Sequence, residues 1–166
     1  TGPLDQQILG ACAFVRKNMH IAARKRAAGG REDLPHFDLL AIFEAVTNAV
    51  AHRDYSMGGA KIRLRLFDDR LELYSPGMLP NTMTPESLPF RQAARNEALT
   101  SLLARCPIED DALSAHRQHL MDKRGEGVPI ILEMSERLSG KRPEYQLSDE
   151  SELKLTIYSA QMENEL

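Results

Sequence analysis

An alternating stretch between residues 61 and 73 constrains the fold of this chain more than any other feature. Apolar and basic side chains alternate along its first half, Ile62, Leu64 and Leu66 against Lys61, Arg63 and Arg65. The segment Asp68-Asp69-Arg70 is typical of a turn, and Leu71 and Leu73 then resume the apolar pattern. Alternation on both sides of a turn predicts a β-hairpin over about residues 60–74 with one apolar face. Other elements of the chain must cover that face.

Helical spacing of apolar residues predicts the elements that cover it. The predicted helices run from about Leu4 to Ala28, from Phe37 to Arg53 and from Val128 to Leu138, with short helices within residues 84–122. Gly29-Gly30 and Gly140 are typical stop signals for the first and the last of the long helices.

Two further strands are predicted near the end of the chain. Leu153, Leu155 and Ile157 alternate with polar residues and predict a third strand, and Tyr145 to Leu147 predicts a fourth. We therefore predict an α+β fold, a two-layer sandwich of helices on a mixed or antiparallel sheet.

Composition narrows the class of protein. The chain has 166 residues, 42% hydrophobic and 27% charged, which is typical of one globular domain. The sequence has no run of about 18 apolar residues, so it predicts no membrane span. The net charge of −3 gives no general attraction for nucleic acid. Cys12 and Cys106 lie in apolar helical stretches, which predicts reduced core thiols and a cytoplasmic protein.

The beginning of the sequence, Thr1-Gly2-Pro3-Leu4, has no initiator Met and no signal-peptide pattern. We interpret the chain as a fragment of a longer protein. Its predicted organisation is an N-terminal helix and linker over residues 1–34, a main domain over residues 35–160 and a tail over residues 161–166.

The predicted helix from Phe37 to Arg53 carries a polar stripe opposite its apolar face. Glu44, Asn48 and His52 follow one another at intervals of four residues. A carboxylate can orient or deprotonate water, and an amide oxygen can ligate a Mg²⁺ ion that bridges to phosphates. Glu44 and Asn48 can supply these two functions, although a solvated helix face is the alternative interpretation.

Glycines elsewhere in the chain are suited to the remaining parts of a nucleotide site. Gly125 and Gly127 precede a predicted helix, where backbone N–H groups can bind phosphate oxygens. Gly77 follows a predicted strand, where the lack of a side chain lets the backbone approach a base or ribose.

Four segments resemble one family in order and spacing. The segment from Glu44 to Tyr55 is similar to the E-A-x-x-N-A-x-x-H-R-D-Y motif of the RecG-like ATPase domain of GHKL type. Ser75-Pro76-Gly77-Met78-Leu79-Pro80 resembles the N-P-G-G-L-P of that family, Arg95-Asn96 its R-N-P, and Gly125-Glu126-Gly127-Val128-Pro129 its G-x-G-I/V-P. The resemblance extends over about residues 35–158. Members of this family are described as transcriptional regulators or RecG-like helicases.

The resemblance implies a Bergerat-type fold, as in gyrase B, histidine kinases and MutL, and it implies ATP and Mg²⁺ as ligands. Glu44 would position water, Asn48 would hold Mg²⁺, and Gly125 with Gly127 would cradle phosphates. His52 and Arg53 would contact the nucleotide, although the His52-Arg53-Asp54 run could instead cap the helix and fix the next turn. An AlbA-like DNA-binding domain is expected to be attached in the full-length protein.

The sequence departs from the pattern of GHKL ATPases at three places. The stretch from Ser75 to Leu79 lacks the Asp that reads the adenine amino group, and Ser75 replaces the usual Asn of the family. Glu126 places a carboxylate between the two phosphate-loop glycines, where it would repel a nucleotide unless it turns away. The segment from Arg105 to Lys123 is longer than the family pattern, which predicts an altered lid.

Two hypotheses follow. The chain is an ATP-binding module, with hydrolysis left open, or it is a degenerate member that serves as an interaction or dimerisation module. Helicase activity is not expected, because no G-x-x-x-x-G-K-[ST] loop occurs. Direct DNA binding through the basic residues between Arg16 and Arg31 is a third alternative, weakened by the neighbouring Glu32 and Asp33.

Overall fold

An antiparallel sheet contains all four predicted strands. In the computed structural model, residues 2–25, 31–91, 93–122, 125–149 and 151–160 are described. The strands of this sheet are β3 (Arg63–Leu66), β4 (Arg70–Pro76), β5 (Glu144–Ser148) and β6 (Glu152–Tyr158). Within the described residues their order in the sheet is β3-β4-β6-β5. The predicted hairpin and both late strands are therefore confirmed.

The apolar face of this sheet is continuous across the strands. Leu73 pairs with Leu64 on one side and with Leu155 on the other, and Leu71 pairs with Ile157. Leu71, Leu73, Leu155 and Ile157 are buried. Since paired residues point to the same side of a sheet, the alternation read from the sequence becomes one apolar surface.

Helices cover this surface, and the predicted α+β sandwich is confirmed. The helices in the described part of the chain are α1 (Leu4–Asn18), α2 (Leu39–His52), α3 (Glu97–Leu103), α4 (Asp111–Ser114) and α5 (Gly127–Ser139), with a 3₁₀ turn at Pro85–Ser87. Of these, α2 contacts β4 and α5 contacts β6. Helix α2 packs against α1, α5 and β4, so it lies at the centre of the molecule. Asp38 caps its start by accepting a hydrogen bond of 2.9 Å from the Ala41 N–H.

The prediction of one helix from Leu4 to Ala28 is wrong for residues 19–25, and its last part, residues 26–28, lies outside the described residues. Helix α1 ends at Asn18, whose side-chain amide donates to the Phe14 carbonyl. Ile21–Lys25 then forms strand β1, which pairs antiparallel with β2 (Arg31–Pro35). Ala, Arg and Lys favour a helix when considered alone, but antiparallel pairing with the segment that follows residues 26–30 overrides this preference. Gly29-Gly30 lies outside the described residues.

Helix α1 joins the core of the main domain. Ile8, Cys12 and Val15 are buried and belong to one apolar cluster with residues of α2. Cys12 and Cys106 are both free thiols. The division of the chain into residues 1–34 and 35–160 stays a prediction, and residues 161–166 lie outside the described part.

The long segment after α3 folds back onto the domain. Pro107 and His119 form an isolated β-bridge, and the Leu120 N–H donates to the Cys106 carbonyl at 3.0 Å. Ile108, Leu113 and Leu120 are buried in the same apolar cluster as α2. We refer to residues 105–122 as the insert; it is a packed structural element with its own core contacts.

No helix in the described part of the chain has both the length and the apolarity that crossing a membrane requires.

Candidate functional site

A pocket of about 480 Å³ lies between α2, the start of α5, the ends of the strands and a segment that we call the lid, residues 78–91 and 93–101. This volume is within the range of small-molecule sites, about 300–1,000 Å³. Most of the residues predicted from the sequence line it together: Glu44, Asn48, His52, Gly77, Gly125 and Gly127. They come from three different segments of the chain, and the fold brings them to one cavity.

Gly127 allows the start of α5 to approach α2 very closely. A Cβ atom at this position would lie 2.5 Å from Asn48 Nδ2 and 3.0 Å from Glu44 Oε2. Real Cβ atoms are essentially never found as near as 2.5 Å to another heavy atom, so glycine is required for this arrangement. The N-terminus of a 13-residue helix therefore lies against a carboxylate and an amide.

The carboxylate of Glu44 is paired with an arginine that the sequence did not predict. Arg117, in the insert, donates from Nε to Glu44 Oε1 at 2.7 Å, and its Nη2 donates to the same oxygen. Its Nη1 lies 3.0 Å from Asp122 Oδ2. The two side chains are 11% and 5% exposed, so Arg117 and Glu44 form a largely desolvated ion pair.

Burial raises the pKa of Glu44 above its ordinary value, although the nearby Arg117 acts in the opposite direction. The carboxylates of Asp122 and Glu126 also raise the pKa of Glu44. A carboxylate with a raised pKa is a stronger base at neutral pH. Glu126 is exposed and is not among the residues that line the pocket, so its side chain turns away from the cavity.

The backbone structure explains why residue 77 is a glycine, without any role in ligand binding. Its φ is +120°, and a Cβ at this position would lie 2.8 Å from Asp54 Cβ. The Asp54 N–H donates to the Pro76 carbonyl at 2.8 Å, which holds the chain after α2 against the end of β4. Glycine is needed here so that two backbone segments can meet.

Arg95-Asn96 ties the lid to α2. Asn96 Nδ2 donates to the carbonyl oxygens of Ala51 at 2.8 Å and Arg53 at 2.9 Å, so it caps the C-terminus of the helix. Arg95 Nη1 donates to Asp54 Oδ2 at 2.9 Å, and its Nη2 donates to the Met78 carbonyl. Three motifs that are far apart in sequence therefore meet in one hydrogen-bonded cluster beside the pocket.

His52 and Arg53 differ in position. His52 lines the pocket, and burial lowers its pKa, as does the neighbouring positive charge of Arg95. Arg53 is not among the lining residues: its Nη2 donates to the Ala60 carbonyl at 2.6 Å, and its guanidinium lies over the Tyr55 ring. These contacts hold the turn after α2, as the alternative interpretation of this motif expects, and a nucleotide contact of Arg53 stays a prediction.

The rest of the pocket is largely apolar. Its walls include Leu79, Pro80, Met83, Leu88, Met121 and Leu153. Ser75, at the position of the family Asn, donates from its hydroxyl to the Ala49 carbonyl at 3.1 Å. Thr47 also lines the cavity, and its buried hydroxyl has no hydrogen-bond partner in the described part of the structure. A flat, mostly apolar ligand with a few polar atoms suits such walls.

Helices on one face of an antiparallel sheet, with a pocket between the central helix and the glycine-led start of another, define an ATPase-like α+β domain. The chain belongs to the family described as "Putative ATP-dependent DNA helicase recG C-terminal", whose model matches residues 59–157. The match includes Gly77, Gly125 and Gly127 and begins after α2, so Glu44, Asn48 and His52 precede it.

A solved structure supports the fold. The DIP2311 protein from Corynebacterium diphtheriae superposes with a TM-score of 0.78 at 23% identity and covers 94% of this chain. The chain spans 29% of the length of that protein. No curated protein sequence matches this chain.

Proposed function

We propose that the chain binds ATP with Mg²⁺ in this pocket and is the nucleotide-responsive module of a transcriptional regulator. The observation that carries the proposal is the contact between the start of α5 and the Glu44–Asn48 face of α2. Gly127 permits this contact, and a side chain there would fill it. In the full-length protein an AlbA-like DNA-binding domain would receive the signal.

The start of α5 is suited to phosphates. The first turn of a helix has backbone N–H groups without intrahelical partners, and the helix dipole favours negative charge there. The N-cap residue Glu126 makes no side-chain hydrogen bond to this turn. Gly125, with φ of +70°, turns the chain into the helix without a side chain above the N–H groups.

The residues present fit a magnesium ion next to this turn. Asn48 would hold the ion through its side-chain oxygen. In the described part of the chain the side-chain amide of Asn48 makes no hydrogen bond. The ion would neutralise phosphate charge. Asn48 lies one helical turn from Glu44, so metal and base would act on the same phosphate.

Glu44 is the residue that we expect to carry hydrolysis. A water held by its carboxylate would attack the terminal phosphorus, and the bond from that phosphorus to the oxygen of the leaving diphosphate would break. The proton of the water would pass to Glu44, whose raised pKa suits this transfer. Because the carboxylate is paired with Arg117, the base is not available while that pair is closed.

Calorimetric titration of the chain with ATP tests the proposal. We expect wild type to bind ATP in the presence of Mg²⁺. Asn48→Ala should bind Mg-ATP at least about tenfold more weakly than wild type, because a metal ligand is lost. In EDTA the same substitution should change the affinity less. Glu44→Ala should keep or raise the affinity, since it removes a negative charge near the phosphates, while any hydrolysis falls by about 10²–10⁴-fold.

A second candidate is an interaction module that binds no nucleotide, and the serine at position 75 favours it. Ser75 uses its hydroxyl on the Ala49 carbonyl, and no Asp in the stretch from Ser75 to Leu79 is available for an adenine amino group. Absence of Mg-ATP binding by wild type at millimolar nucleotide, not restored by Glu126→Thr, would favour this candidate. The oligomeric state at the same concentrations would then test dimerisation.

A further inference from the structure

We propose that Arg117 is a terminal-phosphate ligand, which makes this pocket select nucleoside triphosphates over diphosphates. The inference rests on the proposed function. Arg117 is not itself among the residues that line the pocket. It contacts Glu44, which does line it, and we infer that Arg117 exchanges this anionic partner for another when the nucleotide binds.

The position of the Arg117 guanidinium is the first argument. Its Nε lies 2.7 Å from Glu44 Oε1, and a Cβ on Gly127 would lie 3.0 Å from the other oxygen of the same carboxylate. The guanidinium and the start of α5 therefore contact the two oxygens of one carboxylate. Only this carboxylate therefore separates the guanidinium from a phosphate bound at the helix start, and a side-chain rotation would bring the two groups together.

The chemistry of the guanidinium is the second argument. Arginine has five donors in a planar fork that matches phosphate oxygens, and such contacts are often bidentate. At present the fork is shared between Glu44 and Asp122. A phosphate group with two negative charges is a stronger partner than either carboxylate.

The charge balance around the helix start is the third argument. Three carboxylates in the described part of the chain, Glu44, Asp122 and Glu126, interact electrostatically here, and Arg117 is their cationic neighbour. Each of these carboxylates repels an anionic ligand, and a cation that accompanies the ligand offsets this repulsion. Mg²⁺ and Arg117 together would offset it for a triphosphate, whose terminal group reaches the guanidinium.

The insert holds its backbone fixed, which limits the exchange to a side-chain rotation. Leu113 and Leu120 are buried on either side of Arg117. The Arg117 N–H donates to the Leu113 carbonyl at 2.9 Å, and the Ile108 N–H donates to the Gln118 carbonyl at 3.0 Å. Rotation of the guanidinium toward the phosphate would also release Glu44, so the triphosphate itself would free the base.

The experiment compares the affinities of Mg-ATP and Mg-ADP by calorimetry for wild type, Arg117→Gln and a control. The control, Arg142→Gln, removes an arginine that pairs with Glu136 at 2.8 Å near the far end of α5. We expect wild type and the control to prefer ATP equally. Arg117→Gln should lose about 10- to 100-fold in ATP affinity and little in ADP affinity, because a charge-assisted contact to the terminal phosphate is lost.

Two outcomes overturn this inference and leave the proposed function standing. One is a ratio of ATP to ADP affinity in Arg117→Gln that equals the ratio in wild type. The other is tighter ATP binding by Arg117→Gln, which would mean that Arg117 opposes nucleotide binding. Absence of binding of either nucleotide by wild type overturns both proposals.

A second pair of variants covers a loss of folding. If the circular dichroism spectrum shows that Arg117→Gln does not fold, two other variants are compared instead. One carries Glu44→Gln alone, and the other carries Glu44→Gln together with Arg117→Gln. This pair leaves no buried carboxylate without a partner, and the same change in the affinity ratio is expected.

Discussion

Gly77 and Gly127 line the same pocket, but different neighbours require them to be glycine. At Gly77 the backbone has a φ of +120°, and a Cβ would be 2.8 Å from Asp54 Cβ. We expect Gly77→Ala to lower the free energy of unfolding by about 1–3 kcal/mol, because both the conformation and the contact are strained. Urea denaturation measures this, and a loss below about 0.5 kcal/mol would contradict it.

Gly127→Ala should affect binding more than stability. The atom that its Cβ would meet, Asn48 Nδ2, is the end of a side chain that can rotate away. This rotation displaces the proposed magnesium ligand, so we expect about tenfold weaker Mg-ATP binding with a change in unfolding free energy of less than about 1 kcal/mol. Calorimetry and urea denaturation of the same sample separate the two effects. Equal Mg-ATP affinity in variant and wild type would contradict this prediction.

Residues of the pocket could be predicted from the sequence where local spacing or the resemblance to a family indicates their position. Glu44 and Asn48 are one helical turn apart, so a single amphipathic helix was enough to place them together. Arg117 lies 73 residues from Glu44 in a polar stretch without periodicity. Nothing local distinguishes it from a solvated arginine, and only the fold of the insert shows its partner.

At the scale of elements, the insert owes its position to a few apolar anchors. Leu120 is fully buried, whereas Leu102, in the nearby helix α3, is 59% exposed. We expect Leu120→Ala to lower the free energy of unfolding by about 2–5 kcal/mol, and Leu102→Ala to change it by less than about 0.5 kcal/mol. Chemical denaturation of the two variants checks this difference. Equal losses would mean that the insert is not anchored by its core contacts.

The regular elements were predicted well where periodicity continued over their whole length. Helix α2, the hairpin of β3 and β4, and strand β6 each have one clear apolar face, and their limits agree with the prediction to within a few residues. Strand β1 was missed because neither its residues nor those of β2, which follows shortly after it, alternate between apolar and polar types. Pairing between segments is a tertiary effect, which propensity alone does not contain.

At the scale of the whole molecule, two histidines should make stability depend on pH. Burial lowers the pKa of His36, with the nearby His20 acting in the same direction and Asp68 against it; burial and Arg95 lower the pKa of His52. Between these lowered values and the ordinary pKa of 6.5 the unfolded state binds more protons. We therefore expect the free energy of unfolding to decrease as pH falls through about 6.5.

Urea denaturation at about pH 7.5 and pH 5.5 measures this effect. The variant His36→Gln/His52→Gln should lose less stability between the two values than wild type. Glu44, with a raised pKa, acts in the opposite direction, but it is present in both proteins and cancels in the comparison. The same loss in variant and wild type would assign the pH dependence to other groups.

The ion pair between Arg117 and Glu44 also has a consequence for the order of folding. The two residues are 73 positions apart, so the loop that they close costs chain entropy and favours a late encounter. Until the insert docks, the Glu44 carboxylate lacks its arginine partner. Burial of a carboxylate without a partner is unfavourable in free energy. Partly folded chains without the insert should therefore keep this end of α2 hydrated, and docking of the insert would complete the cavity as the last step of folding.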